Sequence, residues 1–205
     1  PRTLAFTDTA AFQERFPGPS DRTGLGFPLV FKFDWGGEGE TVFLIPSPTA
    51  LQRQLQRAAR YERTGQSGFV LQEYVPCGNR TLRIVVINDT RLAYWRIQPD
   101  PDRFHANLAA GGKIDAGADP DLRNAAIDTA TQFCRRSGIN LAGIDLLFPD
   151  GPTGATSGPG APPRALFLEI NYFFGRRGLG GSEAYYRLLT AEIKAWLKVI
   201  GAAGQ

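Results

Sequence analysis

Three oxygen-bearing side chains near the end of the chain could bind a metal ion, because each interrupts an otherwise apolar run. Asp145 lies within residues 141–148, and Glu169 and Asn171 lie within residues 165–171. Residues two apart in a strand point the same way, so Glu169 and Asn171 are predicted to share a face, roughly 7 Å apart. The intervening apolar residues are predicted to form the other face: Leu166, Leu168 and Ile170.

A positive partner is expected for these carboxylates, because burying an unpaired charge costs several kcal/mol. Hard oxygen ligands that include one neutral carbonyl suit Mg²⁺ better than zinc or calcium. Mg²⁺ usually takes a few protein oxygens and completes its octahedron with substrate phosphates. The three residues therefore favour nucleotide chemistry.

A lysine followed by a glycine-rich loop is a candidate phosphate site. Lys32 lies between Phe31 and Phe33, so strand alternation places it on the face opposite the two rings. Backbone N–H groups of the loop could approach phosphate oxygens because of its glycines: Gly36, Gly37 and Gly39. No Gly-Lys-Ser/Thr sequence follows, so the loop is not a Walker A motif. The alternative is an exposed lysine beside an ordinary hairpin tip.

A strand that stops at Pro76 ends in a candidate adenine-binding segment: Gln72, Glu73, Tyr74 and Val75. Backbone groups freed before the proline could hydrogen-bond an adenine edge while apolar side chains enclose the ring. An ordinary strand end is the alternative.

Four arginines are candidates for binding anionic groups. Arg83 and Arg96 lie in a predicted hairpin, where a guanidinium would suit a γ-phosphate. Arg176 and Arg177 follow the last strand and would suit the carboxylate of a substrate. For each pair the alternative is a solvated arginine on the surface.

Size and composition limit the class of protein. A chain of 205 residues with 42% hydrophobic content can bury a core as one domain or two small lobes. Its net charge of +3, with scattered arginines, fits small anionic substrates better than a nucleic-acid groove. Two cysteines and one histidine indicate neither a zinc site nor a disulfide framework, so a reducing cytoplasm is expected. With no apolar run of about 18 residues, we expect no membrane partner.

The elements that must position these residues alternate between strand and helix patterns. Strands are predicted over 3–6, 29–34, 41–45, 69–75, 82–87, 91–97, 141–148 and 165–171. Helices are predicted over 8–16, 47–65, 119–138 and 182–201, with cap residues at their ends. The stretch 149–164 is rich in Gly, Pro and Ser and is predicted to be a flexible insertion without chemistry.

In their order along the chain, these segments resemble the ATP-grasp superfamily, and in particular the branch of ribosomal-protein glutamate ligases and glutathione synthetases. The resemblance covers nearly the whole chain. It rests on PLVFK at 28–32, the glycine loop, LQEYV at 71–75, LR at 82–83, FHAN at 104–107, GG at 111–112, GID at 143–145, LEIN at 168–171 and the glycine at 175.

The resemblance implies an α+β fold in which two α+β lobes with mostly antiparallel sheets clamp ATP. Residues 1–75 would form the lid lobe with the phosphate loop and hinge. Residues 76–205 would form the C-terminal metal-binding lobe, with 149–164 as its insertion. The implied cofactors are ATP and Mg²⁺, with Mn²⁺ as an alternative ion.

The resemblance also implies a role for each candidate residue. Lys32 and the glycine loop would hold phosphates, and residues 72–75 would bind adenine. His105 and Asn107 would contact the cofactor. The implied metal ligands are Asp145, Glu169 and Asn171. The implied catalytic residues near the γ-phosphate and acylphosphate are Arg83, Arg96 and Asn107.

The implied reaction is an ADP-forming ligation. A carboxylate attacks the γ-phosphate, and an amine then captures the acylphosphate, which gives an amide or peptide-like bond. Two alternatives stay open: a kinase that phosphorylates a hydroxyl, and a non-catalytic nucleotide-binding module. Expected partners are small-molecule or peptide carboxylates and amines, without nucleic acid, and a homo-oligomer stays open.

Two departures from the family pattern affect substrate recognition. Thr81 replaces the aspartate usual two residues before the hairpin arginine, so ribose or metal contacts could differ. Residues 172–175 replace a small-Ser/Thr-Pro-Gly sequence, which concerns the acceptor pocket. Because the chain starts at Pro1 within a patterned segment, we also expect a missing upstream domain, without which this part could be inactive.

Overall fold

The computed structural model describes residues 1–18, 23–37, 39–104, 106, 108, 111–150 and 164–203. The chain divides into two compact units, Pro1–Val75 and Pro76–Gln205. They are called the N-terminal unit and the C-terminal unit below. Each has its own sheet and its own apolar core.

The N-terminal unit packs two helices on a four-stranded antiparallel sheet of order β1-β4-β2-β3. Asp8 caps α1 by accepting a hydrogen bond from the Ala11 N–H, and Ser47 caps α2 through the Ala50 N–H, with Pro48 in the first turn. In chain order the elements are β1 (Thr3–Phe6), α1 (Thr9–Arg15), β2 (Leu29–Phe33), β3 (Val42–Ile45), α2 (Pro48–Glu62) and β4 (Phe69–Glu73).

An aromatic core holds the helices of this unit to the sheet. The Phe31 and Phe69 rings stack with centroids 4.7 Å apart, and the Phe12 ring of α1 meets Phe6 edge-on at 5.3 Å. Aromatic pairs of this kind stabilise a core beyond the area they bury. Since Phe31 faces α1 and α2, strand alternation leaves Lys32 on the opposite side of the sheet.

The C-terminal unit is built on a five-stranded antiparallel sheet of order β7-β6-β5-β8-β9. Its chain order is β5 (Arg80–Ile87), β6 (Thr90–Ile97), β7 (Lys113–Asp115), α3 (Pro120–Ser137), β8 (Leu141–Leu147), β9 (Leu166–Asn171), a short 3-10 helix (Arg177–Leu179) and α4 (Ser182–Ala203).

The two faces of this sheet are covered by different helices. Alternate residues such as Leu82, Ile84 and Ile144 pack against α3. On the other face, Val85 and Tyr94 pack against residues of the 3-10 helix and of the first half of α4. The polar residues of the candidate site lie on this second face, next to Tyr94.

A β-bulge in β9 corrects the predicted alternation of that strand. Ile170 pairs with Ile144 and Glu169 with Asp145, but the next pair is Phe167 with Leu146. One extra residue, Leu168, is therefore accommodated at the bulge. Phe167 joins Ile170 in the core beside α3, so the predicted shared face of Leu166, Leu168 and Ile170 is wrong.

The α+β class with antiparallel sheets is confirmed, and the remaining differences are local. Asp119 precedes α3 with a left-handed backbone and makes no side-chain cap, because its carboxylate pairs with Arg80. Helix α4 continues through Gly201 to Ala203 instead of ending at the glycine. Strand β7 and the 3-10 helix were not predicted from the sequence.

The cysteines and the apolar content of the helices bear on two further expectations. Cys77 and Cys134 are both free thiols. Across the part of the chain that the structure describes, no helix is both long and apolar enough to cross a bilayer.

Candidate functional site

A row of polar side chains crosses four strands of the C-terminal sheet. Tyr94 of β6 lies opposite Arg83 of β5, Arg83 opposite Asp145 of β8, and Asp145 opposite Glu169 of β9. Directly opposite residues of antiparallel strands point to the same side of the sheet. The register of four strands therefore brings together residues that are up to 86 positions apart in the sequence.

Asp145 is the buried centre of this row. Its side chain is 0% exposed and that of Arg83 is 7% exposed. The Arg83 guanidinium donates through Nε to Oδ1 and through Nη2 to Oδ2, the latter over 2.8 Å. Arg96 Nη2 lies 2.7 Å from the same Oδ2. Two arginines of the chain itself thus provide the positive partner that the sequence predicts.

The close contacts shift the pKa values of the row. Burial alone would raise the pKa of Asp145, but hydrogen bonds and charges from Arg83 and Arg96 hold it below its usual range. Burial would lower the pKa of Arg83, and the hydrogen bond and charge of Asp145 raise it instead. Burial raises the pKa of Tyr94 against the opposing charges of the two arginines. The row is therefore ionised at Asp145 and neutral at Tyr94 at pH 7.

Thr81 supports Arg96 where the family pattern has an aspartate. Thr81 lies opposite Arg96 in the register, and its Oγ1 accepts hydrogen bonds from Nη2 at 3.1 Å and from Nε at 3.3 Å. A hydroxyl orients the guanidinium without neutralising it. Of these two neighbours of Arg96, only Asp145 therefore carries a charge that opposes the charge of the guanidinium.

Glu169 and Asn171 extend the row to the edge strand. The Asn171 amide donates to Glu169 Oε1 at 3.0 Å and lies 3.4 Å from Asp145 Oδ2. Glu169 lies opposite Asp145 in the register, and a hydrogen bond from a protonated Glu169 carboxyl would help to lower the pKa of Asp145. The predicted neighbours Asp145, Glu169 and Asn171 are thus brought together.

The chemistry of this donor set fits a hard divalent cation. Two carboxylates that face each other in the register repel unless a proton or a cation is shared between them. The Asn171 carboxamide would complete an all-oxygen set by turning its oxygen towards them in place of its N–H group. Asp145 would have to release one of its arginine contacts to bind a metal, whereas Glu169 is exposed. Within the described ranges, no three His, Cys, Asp or Glu side chains are grouped so that they could hold a metal ion, so a set built here would include the amide.

The two arginines after β9 differ in their surroundings. The Arg176 guanidinium lies over the rings of Tyr185 and Tyr186, 4.9 and 4.7 Å from their centroids, and donates to Ser182 Oγ. Stacking of this kind fixes the position of an arginine. Arg177 is exposed. Of the pair, Arg177 is the side chain that can reorient towards a substrate.

Two exposed aromatic residues follow directly after Asn171. Tyr172 is 64% exposed and Phe173 is 98% exposed. Phe174, by contrast, packs edge-on against Tyr185 with ring centroids 5.9 Å apart. The departure from the family pattern therefore places two large apolar side chains in solvent beside the polar row.

In the N-terminal unit, the glycine loop has backbone requirements of its own. Gly36 and Gly39 have positive φ values of 89° and 83°, and a Cβ on Gly36 would lie 2.5 Å from Thr41 Cγ2. Gly37 accepts a hydrogen bond from the Glu40 N–H. The turn itself explains Gly36 and Gly39 and is also compatible with a phosphate-binding role, whereas a Cβ on Gly37 would meet no atom within 4 Å. Lys32 directly precedes Phe33, whose side chain is buried, so the two side chains lie on opposite faces of β2.

Only part of the predicted adenine-binding segment is available to hydrogen-bond a ligand. Gln72 is buried and donates to Thr3 Oγ1 at 2.9 Å, and the Glu73 N–H donates to the Arg2 carbonyl. The Glu73 carboxylate also contacts Arg2. Tyr74 and Val75 follow the end of β4 and are half-buried. These two residues are the part of the segment whose backbone lies outside the sheet.

Two candidates and most of the insertion lie outside the described residues. They are His105, Asn107 and residues 151–163. Sequence reasoning missed Tyr94 and gave no role to Gly143, which faces Asn171 in the register. A strand tyrosine and a strand glycine give no local signal of a site, because only the pairing of the strands places them beside Arg83 and Asp145.

Comparison with known proteins identifies the family of the chain. The RimK-like ATP-grasp domain family matches residues 13–153. A "Probable alpha-L-glutamate ligase" of Aeromonas salmonicida is 29% identical over 156 residues, which are 75% of this chain and 46% of that protein. The chain thus spans about half the length of the curated relatives it matches.

Solved structures show the same fold at low sequence identity. A RimK domain ATP-grasp protein from Sphaerobacter thermophilus superposes with a TM-score of 0.55 at 17% identity, over 88% of this chain and 56% of that one. D-alanine–D-alanine ligase from Bacillus anthracis complexed with ATP gives 0.56 at 15% identity, over 84% and 48%. By its fold and its matched sequence, the chain belongs to the RimK-like ATP-grasp domain family.

Proposed function

We propose that this chain is the nucleotide- and metal-binding part of an ATP-dependent carboxylate–amine ligase that forms an amide or peptide-like bond and releases ADP and inorganic phosphate. Membership of the RimK-like family supports this proposal, as do relatives that are named ligases. The observation that carries it is the row of Arg83, Asp145 and Glu169, in which two carboxylates meet beside fixed guanidinium groups.

Each candidate residue has a proposed task. Lys32 and the glycine loop bind phosphate oxygens, and Tyr74 and Val75 contact the base. Mg²⁺, or Mn²⁺ in its place, supplies charge neutralisation at the phosphates when it is bound by Glu169, Asn171 and Asp145. His105 and Asn107 contact the cofactor.

Arg83 and Arg96 are proposed to stabilise the negative charge that develops when a carboxylate attacks the γ-phosphate. They are held in place by Asp145 and Thr81 before substrate binds, and one of the contacts to Asp145 would be released when a metal ion binds there. No general base is required for attack by a carboxylate, which is already ionised at neutral pH. Arg177 is proposed to bind the anionic group of a carboxylate substrate.

A binding measurement tests the metal set without disturbing the buried ion pairs. Calorimetric titration of the 205-residue chain with ATP and Mg²⁺ should show binding that Glu169→Gln weakens at least about tenfold, since one charged oxygen ligand is lost. Glu183→Gln makes the same chemical change at an exposed position of α4 and serves as the control. Equal affinity in both variants would refute the metal assignment.

Activity is tested by ADP release over pools of amino acids and small carboxylic acids, with mass spectrometry of the products. The full-length protein is the appropriate sample if a longer one exists. An amide that joins two substrates supports the ligase, whereas one substrate that gains a phosphate supports a kinase. A cytoplasmic location and small-molecule or peptide substrates remain part of the proposal.

A second candidate function is a nucleotide-binding module without catalysis. The saturation of Asp145 by Arg83 and Arg96 favours it, because a carboxylate with four donors around it is poorly placed to bind a metal. It predicts ATP binding that does not depend on Mg²⁺ and no ADP release from any pool.

A further inference from the structure

An open cleft lies between α2 and β3 in the N-terminal unit, apart from every candidate residue discussed above. Its volume is about 640 Å³. Strand β3 is the outermost strand of its sheet, so its outer backbone edge pairs with no other strand among the residues described. The residues that line the cleft include Leu44, Arg53, Gln54, Arg57 and Arg60.

Three arginines of α2 make the cleft positive. Arg53, Arg57 and Arg60 lie four and three residues apart, which places neighbouring guanidinium groups on one side of the helix. Like charges at this spacing repel. In the described ranges none of the three forms an ion pair, and Glu62, the one acidic residue of α2, bonds to Thr9. An external anion would relieve the repulsion.

A buried amide in the same cleft points independently to a ligand. The Gln54 side chain is 8% exposed and lines the cleft. Its Nε2 is buried and has no hydrogen-bond partner within the part of the chain that is described. A buried donor without an acceptor is unfavourable, and an oxygen bound in the cleft would satisfy it after the Gln54 amide turns towards the cleft.

The aromatic residues of the cleft are not available for stacking with a base. The Arg57 guanidinium lies over the Phe43 ring at 4.9 Å and over the Tyr61 ring at 5.5 Å, and it donates to the Tyr61 hydroxyl. Binding of single-stranded nucleic acid depends largely on open aromatic faces. The chemistry therefore favours carboxylates, which accept two hydrogen bonds from one guanidinium, over nucleobases.

We propose that this cleft binds an extended acidic peptide along the free edge of β3. Alternate side chains of an extended strand repeat about every 7 Å, and Arg53 and Arg57 are about 6 Å apart along the helix axis, so alternate acids match the arginines. The backbone of such a peptide would pair with β3, in the manner of strand addition. Leu44, which is 38% exposed on that strand, would contact its apolar side chains.

Titration of the 205-residue chain with a synthetic peptide tests the proposal. The probe alternates glutamate and valine and carries an acetyl and an amide at its ends, so it offers neither a terminal carboxylate nor an amine to a ligase. Without nucleotide, binding should weaken at least about tenfold in the double variant Arg53→Gln with Arg60→Gln. Arg57 is left intact because it packs on Phe43 and Tyr61.

The control makes the same charge change elsewhere, with Arg135→Gln and Arg136→Gln at the end of α3. It should bind the peptide as the unaltered chain does, and a probe with glutamine in place of glutamate should not bind. Equal binding by the two double variants would overturn the proposal. Oligothymidylate that binds more tightly than the peptide and depends on Arg53 and Arg60 would overturn it in favour of a nucleic-acid groove.

Discussion

Gly143 leaves open the space in which Arg83 lies beside Asp145. A Cβ on Gly143 would come within 2.9 Å of Arg83 Nη1 and within 3.1 Å of Phe174 Cβ. Because Arg83 is held by two hydrogen bonds to Asp145, its guanidinium cannot move away without breaking one of them. The glycine is thus a condition for the buried ion pair.

Gly143→Ala is therefore expected to lower the free energy of unfolding by about 1–3 kcal/mol, the usual cost of overpacking a filled interior. Urea denaturation measures this value. Gly117→Ala is the matched control, because its Cβ would make an ordinary contact at 3.6 Å with Asp115 Oδ1. Equal stability of the two variants would show that Arg83 relaxes freely.

Removal of the Asp145 charge should destabilise the C-terminal unit far more than removal of the Glu169 charge. Asp145→Asn leaves Arg83 and Arg96 without their buried partner, which costs about 3–5 kcal/mol. Glu169→Gln acts at an exposed edge position and should stay within about 0.5 kcal/mol of the unaltered chain. Equilibrium unfolding of both variants distinguishes these effects, and similar losses would contradict the burial of Asp145.

Stability should fall as the pH is lowered into the acid range. The pKa of Asp145 is lower in the folded chain than its ordinary value, so the unfolded chain takes up the proton first as the pH falls. Its contribution is fully present above about pH 5 and is lost as the pH falls through the folded pKa. The slope of the unfolding free energy against pH below about 5 should be shallower in Asp145→Asn. An unchanged slope would mean that other groups determine it.

Gly178→Ala should disturb Tyr94, because a Cβ at this position would lie 2.2 Å from a ring carbon of that tyrosine. A ring that is packed against Val85 and Ile87 cannot turn aside, and the expected loss is about 1–3 kcal/mol of unfolding free energy. Gly175→Ala in the same loop meets no atom within 4 Å and is the control. Thermal unfolding of the pair gives the comparison.

Eight of the nine strands that the structure describes, all except β7, and the four α-helices could be predicted because their signals are local. Ser47 followed by Pro48 marks the start of α2, and Asn88 followed by Asp89 marks the turn between β5 and β6. The proximity of Asp145, Glu169 and Asn171 was also expected from the family resemblance. For the helix start and the turn, a short stretch of sequence contains the whole signal.

The partners of these residues could not be predicted in the same way. Arg83 and Asp145 are 62 positions apart, and only the pairing of β5 with β8 makes them neighbours. The support of Arg96 by Thr81 depends likewise on the register of β5 and β6. Whether an arginine in a strand is exposed or buried depends on its neighbours on adjacent strands, and a local pattern does not contain them.

The extra residue at the bulge of β9 has a consequence for how this strand can change. Phe167 faces α3 while Glu169, two positions later, faces away from it, although residues two apart in a regular strand share a face. The bulge at Leu168 is what places them on opposite faces. Deletion of Leu168 would make Phe167 and Glu169 adjacent, and a regular strand would then keep the ring in the core and the carboxylate on the polar face. Leu168 can therefore be exchanged, or lost together with the bulge, without interchanging the two faces of β9.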